Sequence, residues 1–480
     1  MLEKIKMLMP KKLFSILSPI YHYCLSFVAA LFYRFPSNKL IVIGVTGTAG
    51  KTSTAYLIMK MLRGAGYKTG LTSTAVFCDG NQEWLNDKKM TMPGRFFIQQ
   101  TLKKMLKNSC TYAVIETTSE GIKQFRHRFI NYDVVLFTGL YPEHIESHGS
   151  FEKYKEAKGK LFAHLKNCSS KYVNEKKQVV KPKSQLEKLD LKRIFKTIIV
   201  NGDDPVAEYF LNFTSEAKVI CSLNPDFDFS KLKEAIKSEF LSKDLTFVLG
   251  ENIISSFQGN SFLVNGEKIN LKLLGEFNVK NAINAYALGL NQELSVEKIK
   301  EGLESVRSLA GKLEMIDVGQ DFKVVVDYSF EPKAIENLYH VLDLIPHNRI
   351  IHLLGSTGGG RDRSRRAVLG SLAGRKADVV VVSNEDPYDE DPALIINEVA
   401  GGAMKEGKEL NKNLFTILDR REGIRKSLEL AKKDDLLVFT GKGAEQFICL
   451  ENGRKSPWNE IEIVKELIVE KMCIDKSHKT

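Results

Sequence analysis

Residues 40–55 read LIVIGVTGTAGKTSTA, and this stretch decides the fold. Leu40–Val45 is an apolar run, the pattern of a strand buried on both faces of a parallel sheet. A glycine-bearing turn follows, and a helical pattern begins at Thr52. Strand, glycine turn and helix in that order make a phosphate loop. Gly47 and Gly50 let backbone N–H groups close around phosphate oxygens, Lys51 supplies a point charge, and the Thr52 hydroxyl suits Mg²⁺. The loop departs from the usual form: two residues separate its glycines instead of four, and Val45 stands where a first glycine would be. Alone, it says only that a nucleoside triphosphate binds.

Outward from this loop the chain alternates strand and helix. Apolar runs predict strands at Leu40–Val45, Tyr112–Glu116, Val134–Thr138 and Thr197–Asn201, with helices at Thr52–Gly64, Arg95–Lys107 and Phe151–Leu165. This is a doubly wound plan. Lys171–Lys196, rich in Lys and Glu, is expected to be a solvated excursion. Leu245–Leu274 reads as short antiparallel strands turning at Gly259-Asn260 and Asn265-Gly266, and a helix follows over Val279–Leu290. Near Leu309–Gly311 the pattern restarts, with strands at Phe322–Asp327, Ile350–Leu354, Asp378–Val382 and Leu436–Thr440. The fold class is therefore α/β: a P-loop central domain with a mostly parallel sheet, plus a smaller Rossmann-like C-terminal α/β domain. Domain boundaries are expected at 1–37 for an N-terminal helical segment, 38–308 for the central domain and 309–480 for the C-terminal one.

The 480 residues exceed what one core supports. The 43% apolar and 27% charged content is that of an ordinary globular protein. The net charge of +11 suits anionic substrates or an anionic membrane surface. No nucleic-acid module is present, and a nucleic-acid partner is not expected. The seven cysteines form no CxxC pair and are odd in number, which speaks against a disulfide framework or zinc ribbon and for a reducing cytoplasm.

The N-terminus is unusual. Lys4, Lys6, Lys11 and Lys12 precede an uncharged run from Leu13 to Tyr33, closed by Arg34. Its length would span a bilayer, but Pro19, Tyr21, His22, Tyr23 and several serines dilute it. No small-residue cleavage site follows, so a removable signal peptide is not expected. An interfacial helix, a true span and a helix packed on the domain all remain open.

Further chemistry gathers at the ends of the predicted strands, where an open parallel sheet binds ligands. Glu116 ends a strand and is placed to hold Mg²⁺ opposite Thr52. The next strand leads to His144, Glu146 and His148; spacing alone allows zinc, but a hard metal held by His144 beside carboxylate and phosphate is preferred. Lys158 and Lys160 follow on a helix, where a solvated lysine face is the default. Gly355–Arg366 (GSTGGGRDRSRR) sets arginines after a glycine run, a pattern for carboxylate or phosphate. Ser383–Pro392 is an acidic loop suited to a substrate ammonium group, and Phe439–Phe447 flanks Lys442 with glycines.

Together these segments resemble the Mur ligase family, MurE type (the UDP-N-acetylmuramoyl-tripeptide synthetases). The resemblance runs in order through GVTGTAGKTST, ETTSEGIKQFR, PEHIESHGSFEKYKEAKGKLF, NGDDP, GEFNVKNAINAYA, AGKLEMID, VVVDYSFEP, GSTGGGRDRSRR, SNEDPYDEDP, DRREGIRKSLELA and GKGAE, nearly everything from residue 40 to 460. It implies an ATP-dependent ligase that adds an amino acid to a UDP-MurNAc-L-Ala-D-Glu-like peptide through an acyl phosphate, releasing ADP and phosphate. It implies ATP and two Mg²⁺ sites as cofactors, a nucleotide-linked or lipid-linked muropeptide and a free amino acid as partners, and a monomer.

The resemblance also assigns roles. Gly47, Thr48, Gly50, Lys51, Thr52 and Ser53 meet the triphosphate. Thr52, Glu116, His144 and Lys158, the last as a carbamate, hold metal. Lys51, Glu116, His144 and Lys158 form the catalytic set. Asn278, Asn281, Lys312 and Asp327 contact the nucleotide. Ser73, Thr91, Pro93, Thr118, Ser119 and Arg126 face the acceptor, while Arg366, Asp386, Tyr388 and Glu445 face the amine.

The departures are informative. Family members carry an N-terminal uridine-binding domain of roughly 90 residues, and here the segment 1–37 takes its place, which raises a membrane-linked acceptor or peripheral work at the inner face of the membrane. Diaminopimelate-adding members have Asp-Asn-Pro-Arg where this chain has Glu385-Asp386-Pro387-Tyr388. The added negative charge suits a basic amino acid such as lysine or ornithine. Phe330 and Ala444 replace family histidines, and Gly360 an acidic residue. Rival readings are a folylpolyglutamate-synthase-like or cyanophycin-synthetase-like ligase, a lipid II amidotransferase subunit, whose cysteine ribbon is missing here, and a non-catalytic membrane-tethered nucleotide-binding scaffold.

Overall fold

Ile41–Thr46 forms strand β1, in the interior of an eleven-stranded sheet. The structure, a computed structural model, describes residues 11–142, 148–182, 184–237, 240, 244–360 and 362–477. Helix α1 (Lys11–Phe32) precedes β1, and α2 (Lys51–Gly64) follows the glycine turn. Strands β2 (Thr69–Thr72), β3 (Val76–Cys78) and β4 (Glu83–Leu85) lead to α3 (Arg95–Lys107), β5 (Tyr112–Glu116), α4 (Ser119–Lys123), β6 (Val134–Phe137) and α5 (Phe151–Leu165). A small sheet of β7 (Lys171–Val173), β8 (Val179–Val180) and β9 (Lys192–Ile194) comes next. The main sheet then resumes with β10 (Thr197–Asn201), β11 (Ala217–Ser222), β12 (Asp244–Ser256), β13 (Gly259–Val264) and β14 (Glu267–Leu271), before α6 (Phe277–Asn291) and α7 (Val296–Glu304).

The strand order is β14-β13-β12-β11-β10-β6-β1-β5-β2-β3-β4. Strands from the start of β12 to β2 run parallel, and hairpins close both edges. Alternation along the strands feeds two cores. Ile41, Ile43 and Val45 pack with Leu57 and Ile58 of α2 and with Val279 and Ile283 of α6. Leu40 and Val42 pack with Ile98 of α3 and with Leu161 and Phe162 of α5. Both faces are covered, which explains the unbroken apolar runs. β1 is flanked by β5 and β6, so the winding reverses there and opens a crevice at the carboxyl ends.

The second sheet has the order β15-β16-β20-β17-β18-β19, built from β15 (Glu314–Ile316), β16 (Lys323–Asp327), β17 (Ile350–Leu354), β18 (Val379–Ser383), β19 (Leu414–Ile417) and β20 (Leu436–Thr440). Only its edge strand β15 is antiparallel. It too is covered on both faces. Large mixed sheet and smaller parallel sheet are the predicted α/β classes.

Several local expectations need correction. Lys171–Lys196 is solvated over most of its length, as expected, but it is not irregular: it carries the three-stranded sheet, and its end residues Lys171 and Lys196 are buried against Asp133 at 2.5 and 2.8 Å. A buried carboxylate needs such partners, and a count of charges along the chain cannot find it. Burial still pulls Lys171 down to about 8. The strands after residue 244 are not all short, since β12 runs for 13 residues, parallel to β11 at its start and antiparallel to β13 at its end. Its hairpin turns at Phe257-Gln258 rather than Gly259-Asn260. Gly259 instead opens β13, where a Cβ would sit 2.1 Å from the Leu271 carbonyl. Of the three N-terminal alternatives, the span is not supported: among the described residues no helix is long and apolar enough to cross a membrane.

Candidate active site at the carboxyl edges of two sheets

The phosphate loop leaves β1 with both glycines at positive φ, Gly47 at 155° and Gly50 at 78°. A Cβ on Gly47 would lie 2.0 Å from the Thr138 hydroxyl, so the loop is folded tightly against the start of the β6 loop. Lys51 Nζ donates to the Thr48 carbonyl at 2.6 Å, curled over the loop. Thr52 heads α2, and its hydroxyl donates to Glu116, 3.1 Å from each carboxylate oxygen. Glu116 is fully buried and also accepts the Thr74 N–H at 2.7 Å and the Thr74 hydroxyl at 2.9 Å. Thr52 and Glu116, ends of adjacent strand–loop units, thus meet as an all-oxygen pair. That donor set fits Mg²⁺, which takes one or two carboxylates and completes its shell with phosphate and water. Among the described residues no three His, Cys, Asp or Glu side chains gather as a metal group.

Lys158, on α5, is not the solvated lysine that its surroundings suggested. It is 1% exposed, its Nζ donates to the Gly47 carbonyl at 2.6 Å and lies over the Tyr154 ring. His144 and Glu146 lie outside the described residues. His148 is in place, its Nε2 3.1 Å from the Ser119 hydroxyl.

The acceptor-side residues form one neighbourhood along the same edge. Thr91 and Thr74 share a hydroxyl bond of 2.7 Å, which links Thr91 to Glu116. Ser73 caps the β2–β3 turn through Val76, and Thr118 caps α4. Arg126 donates to the carbonyl of Met92, next to buried Pro93.

On the nucleotide side, Asn281 accepts from Thr54 of α2 at 3.2 Å and donates to Asn278 at 2.9 Å. Asn278 in turn holds the Leu274 carbonyl. Lys312 lies over the Tyr328 ring. Asp327 ends β16 and accepts the Leu313 and Ser329 N–H groups at 2.7 Å each. It therefore anchors the strap between the two sheets. Within that strap Gly311 (φ 62°) is so close to the 443–444 turn that a Cβ would meet the Ala444 nitrogen at 2.1 Å.

The amine-side residues divide. Asp386 and Glu445 converge on Lys442, which is fully buried, at 3.0 and 2.6 Å. Tyr328 donates to Glu445 at 3.3 Å. Tyr388 (φ 52°) closes the same loop, and its N–H reaches the Cys449 carbonyl. Arg366 is buried and held by Glu398 and Glu390, each at 2.8 Å, so its guanidinium props the loop from behind. Glu385 has an Oε2 without a hydrogen-bond partner, and burial, then the neighbouring Asp386 charge, push its pKa up to about 7.

One residue was missed by reading the sequence, and one arginine of the glycine–arginine motif was not singled out within it. Lys89 reaches from the central unit into the amine-side cluster, 2.5 Å from Asp386 and 3.0 Å from Glu445. Burial alone would lower its pKa, but the two carboxylates raise it overall. Its backbone is left-handed (φ 51°), an unfavourable conformation for lysine that marks a constrained position. Arg365 pairs with Glu331 at 2.6 Å and lies over Phe330. Arg365 was within reach of the motif reading, but Lys89 carries no sequence signal: it is one lysine of a pair in a loop, and its partners are some 300 positions away.

Comparisons with known families, known proteins and solved structures agree with this fold. Residues 45–194 match the Mur ligase middle domain, and residues 311–443 match the Mur ligase, glutamate ligase domain. The chain is 31% identical to a UDP-N-acetylmuramyl-tripeptide synthetase of Roseiflexus sp. over 92% of its length and 81% of the relative's. It is 32% identical to one of Borreliella burgdorferi, over 94% and 80%. Among solved structures it is similar to a UDP-N-acetylmuramoyl-L-alanyl-D-glutamate–2,6-diaminopimelate ligase, with 23% identity, a TM-score of 0.56, and coverage of 90% of this chain and 79% of that one. A folylpolyglutamate synthase of Mycobacterium tuberculosis shares the fold with a TM-score of 0.61 at 14% identity, over 87% and 92%.

Proposed function

Since the chain belongs to the Mur ligase family, we propose that it is an ATP-dependent amide ligase of peptidoglycan-precursor synthesis, adding an amino acid to a muropeptide carboxylate. The observation that carries this is the convergence of Lys51, Thr52, Glu116 and Lys158 at one sheet edge. Bound ATP supplies the phosphoryl group that converts the acceptor carboxylate to an acyl phosphate; the amine then displaces phosphate and loses its proton. Two anions must approach for the first step, so positive charge is required between them. Lys51 and the loop N–H groups hold the triphosphate, and Thr52 and Glu116 hold Mg²⁺. Lys158, buried beside Gly47, is assigned as the carbamate that orients a second Mg²⁺, with His144 as a further metal ligand.

Asn278, Asn281, Lys312 and Asp327 serve the nucleotide side. Ser73, Thr91, Pro93, Thr118, Ser119 and Arg126 line the acceptor. Asp386, Tyr388 and Glu445 receive the amine, with Arg366 supporting them. The acidic residues Glu385, Asp386 and Glu445 are the basis for reading the amine as one with a basic side chain, lysine or ornithine, whose ammonium would compete with Lys89 and Lys442 for the Asp386 and Glu445 oxygens. The working units are taken as 38–308 and 309–480, in a monomer, in the cytoplasm. Work at the inner face of the membrane is the finer part of this proposal, supported by α1.

The test is ADP release with UDP-MurNAc-L-Ala-D-Glu and a panel of amino acids. Stimulation by one basic amino acid is expected. No ADP with any carboxylate–amine pair would sink the ligase reading.

A further inference from the structure

Helix α1 is amphipathic in the wrong sense for a helix that ends at water. Its inward face, at helical spacing, carries Ser18, His22, Ser26, Ala29 and Ala30. Ser26 is buried and donates to the Phe125 carbonyl at 3.0 Å, and Arg95 of α3 donates to His22 at 2.6 Å and to the Gln124 carbonyl at 2.7 Å. Its outward face carries Leu17, Ile20, Val28, Leu31 and Phe32, with Ile20 59% and Phe32 70% exposed. A surface helix ordinarily turns its apolar stripe to the core and its polar face to water. Here small and polar residues supply most of the contact with the protein, Tyr23 and Phe27 lean on Phe125 and Phe129, and Leu17, Ile20, Val28, Leu31 and Phe32 face away. The stripe runs from Leu17 to Phe32, and Phe96 of α3, itself partly exposed, extends it through its contact with Phe32. Patches of this extent on a soluble surface mark an interaction site.

Charge selects the occupant. The uncharged run from Leu13 to Tyr33 is bracketed by Lys4, Lys6, Lys11 and Lys12 on one side and Arg34 on the other, in a chain of net charge +11. Apolar and aromatic side chains between basic ends suit a helix lying in the interface of an anionic bilayer. A span is not needed: 22 residues at about 1.5 Å each lie along the surface, and the inward face is already taken by the protein.

We propose that the outward face of α1 docks this protein on an anionic lipid surface, lying flat with Ile20, Val28, Leu31 and Phe32 among the acyl chains, drawn there by the positive charge that flanks the run in the sequence. This gives a physical basis to the membrane location in the reading above and is independent of the ligase chemistry. Because Ser26 of α1 is bonded to the Phe125 carbonyl, next to Arg126, docking would bring the proposed acceptor side of the site toward the bilayer.

The test is flotation of the full chain with vesicles of phosphatidylcholine alone or with about 30% phosphatidylglycerol, alongside light scattering for mass and an ATP-turnover assay. Wild type is expected to float with the anionic vesicles. The Ile20→Glu/Leu31→Glu variant, checked for an unchanged melting transition, is expected to lose at least about tenfold in partitioning. Glutamine at positions 4, 6, 11 and 12 should reduce binding to anionic vesicles only. Wild type that stays down with both vesicle types, or a double variant that floats equally well, overturns the proposal. So does a dimer that the double variant splits, since a second copy would then cover the face. Floating without ATP turnover would overturn the ligase reading alone; turnover without floating would overturn this inference alone.

Discussion

Glu385 shows how much depends on single buried groups. Its pKa is raised from 4.5 to about 7, so between those values the folded protein holds a proton that the unfolded chain has released. Its contribution to stability is therefore full below about pH 4.5 and is lost as pH rises through about 7. Glu385→Gln is expected to raise stability at pH 8 by up to about 3 kcal/mol and to change little at pH 4.5, read from denaturant midpoints at the two pH values. Glu116→Ala removes the acceptor of both Thr52 and Thr74; ATP turnover should fall at least ~100-fold while the fold survives, as circular dichroism would check. Glu116 was legible in the sequence because it ends a strand next to a phosphate loop. Lys158 was not legible from the residues, since a lysine among lysines on a helix is usually solvated; only family resemblance singled it out. Lys89 was invisible, because its meaning lies in Asp386 and Glu445, which only the folded chain brings to it.

At the scale of elements, strands buried on both faces announced themselves as apolar runs, and β5, β10, β17 and β20 fall where those runs lie. The short β2–β4 and the charged β7–β9 gave no such signal, since three-residue strands lack a period and β7–β9 mix charge with apolar side chains. The loop that opens α2 was readable because glycine has few other reasons to recur there. Gly50→Ala tests it: the new Cβ would meet Asn281 Oδ1 at 2.4 Å in a left-handed backbone. Strain of about 1–3 kcal/mol is expected, with weakened ATP binding by calorimetry.

For the whole molecule, the bond from Lys89 to the Asp386–Glu445 pair ties the central unit to the C-terminal one. An incoming ammonium would compete for the same oxygens. Lys89→Met is expected to lower the KM for a basic amino acid several-fold while lowering the melting temperature; a higher KM would show that Lys89 builds the pocket instead. Acid should loosen both units. Burial lowers His164 to about 4 and His352 to about 3, so both remain neutral in the folded state where the unfolded chain takes up protons. Stability from this source is complete above about pH 6.5 and declines as pH falls toward 4, by up to about 1.4 kcal/mol per pH unit for each histidine. Melting curves from pH 7 to 4 would show it, and His164→Gln would flatten the slope.

The strap from Leu309 to Leu313 adds a mechanical consequence. Asp327 pins one end of it, and Gly311 is seated against the turn that carries Lys442 and Glu445. The contacts proposed for the nucleotide, Lys312 and Asp327, and those proposed for the amine therefore share a single pivot. Any rotation of the smaller unit swings both at once, so that the C-terminal half acts as one jaw rather than as two independent fingers.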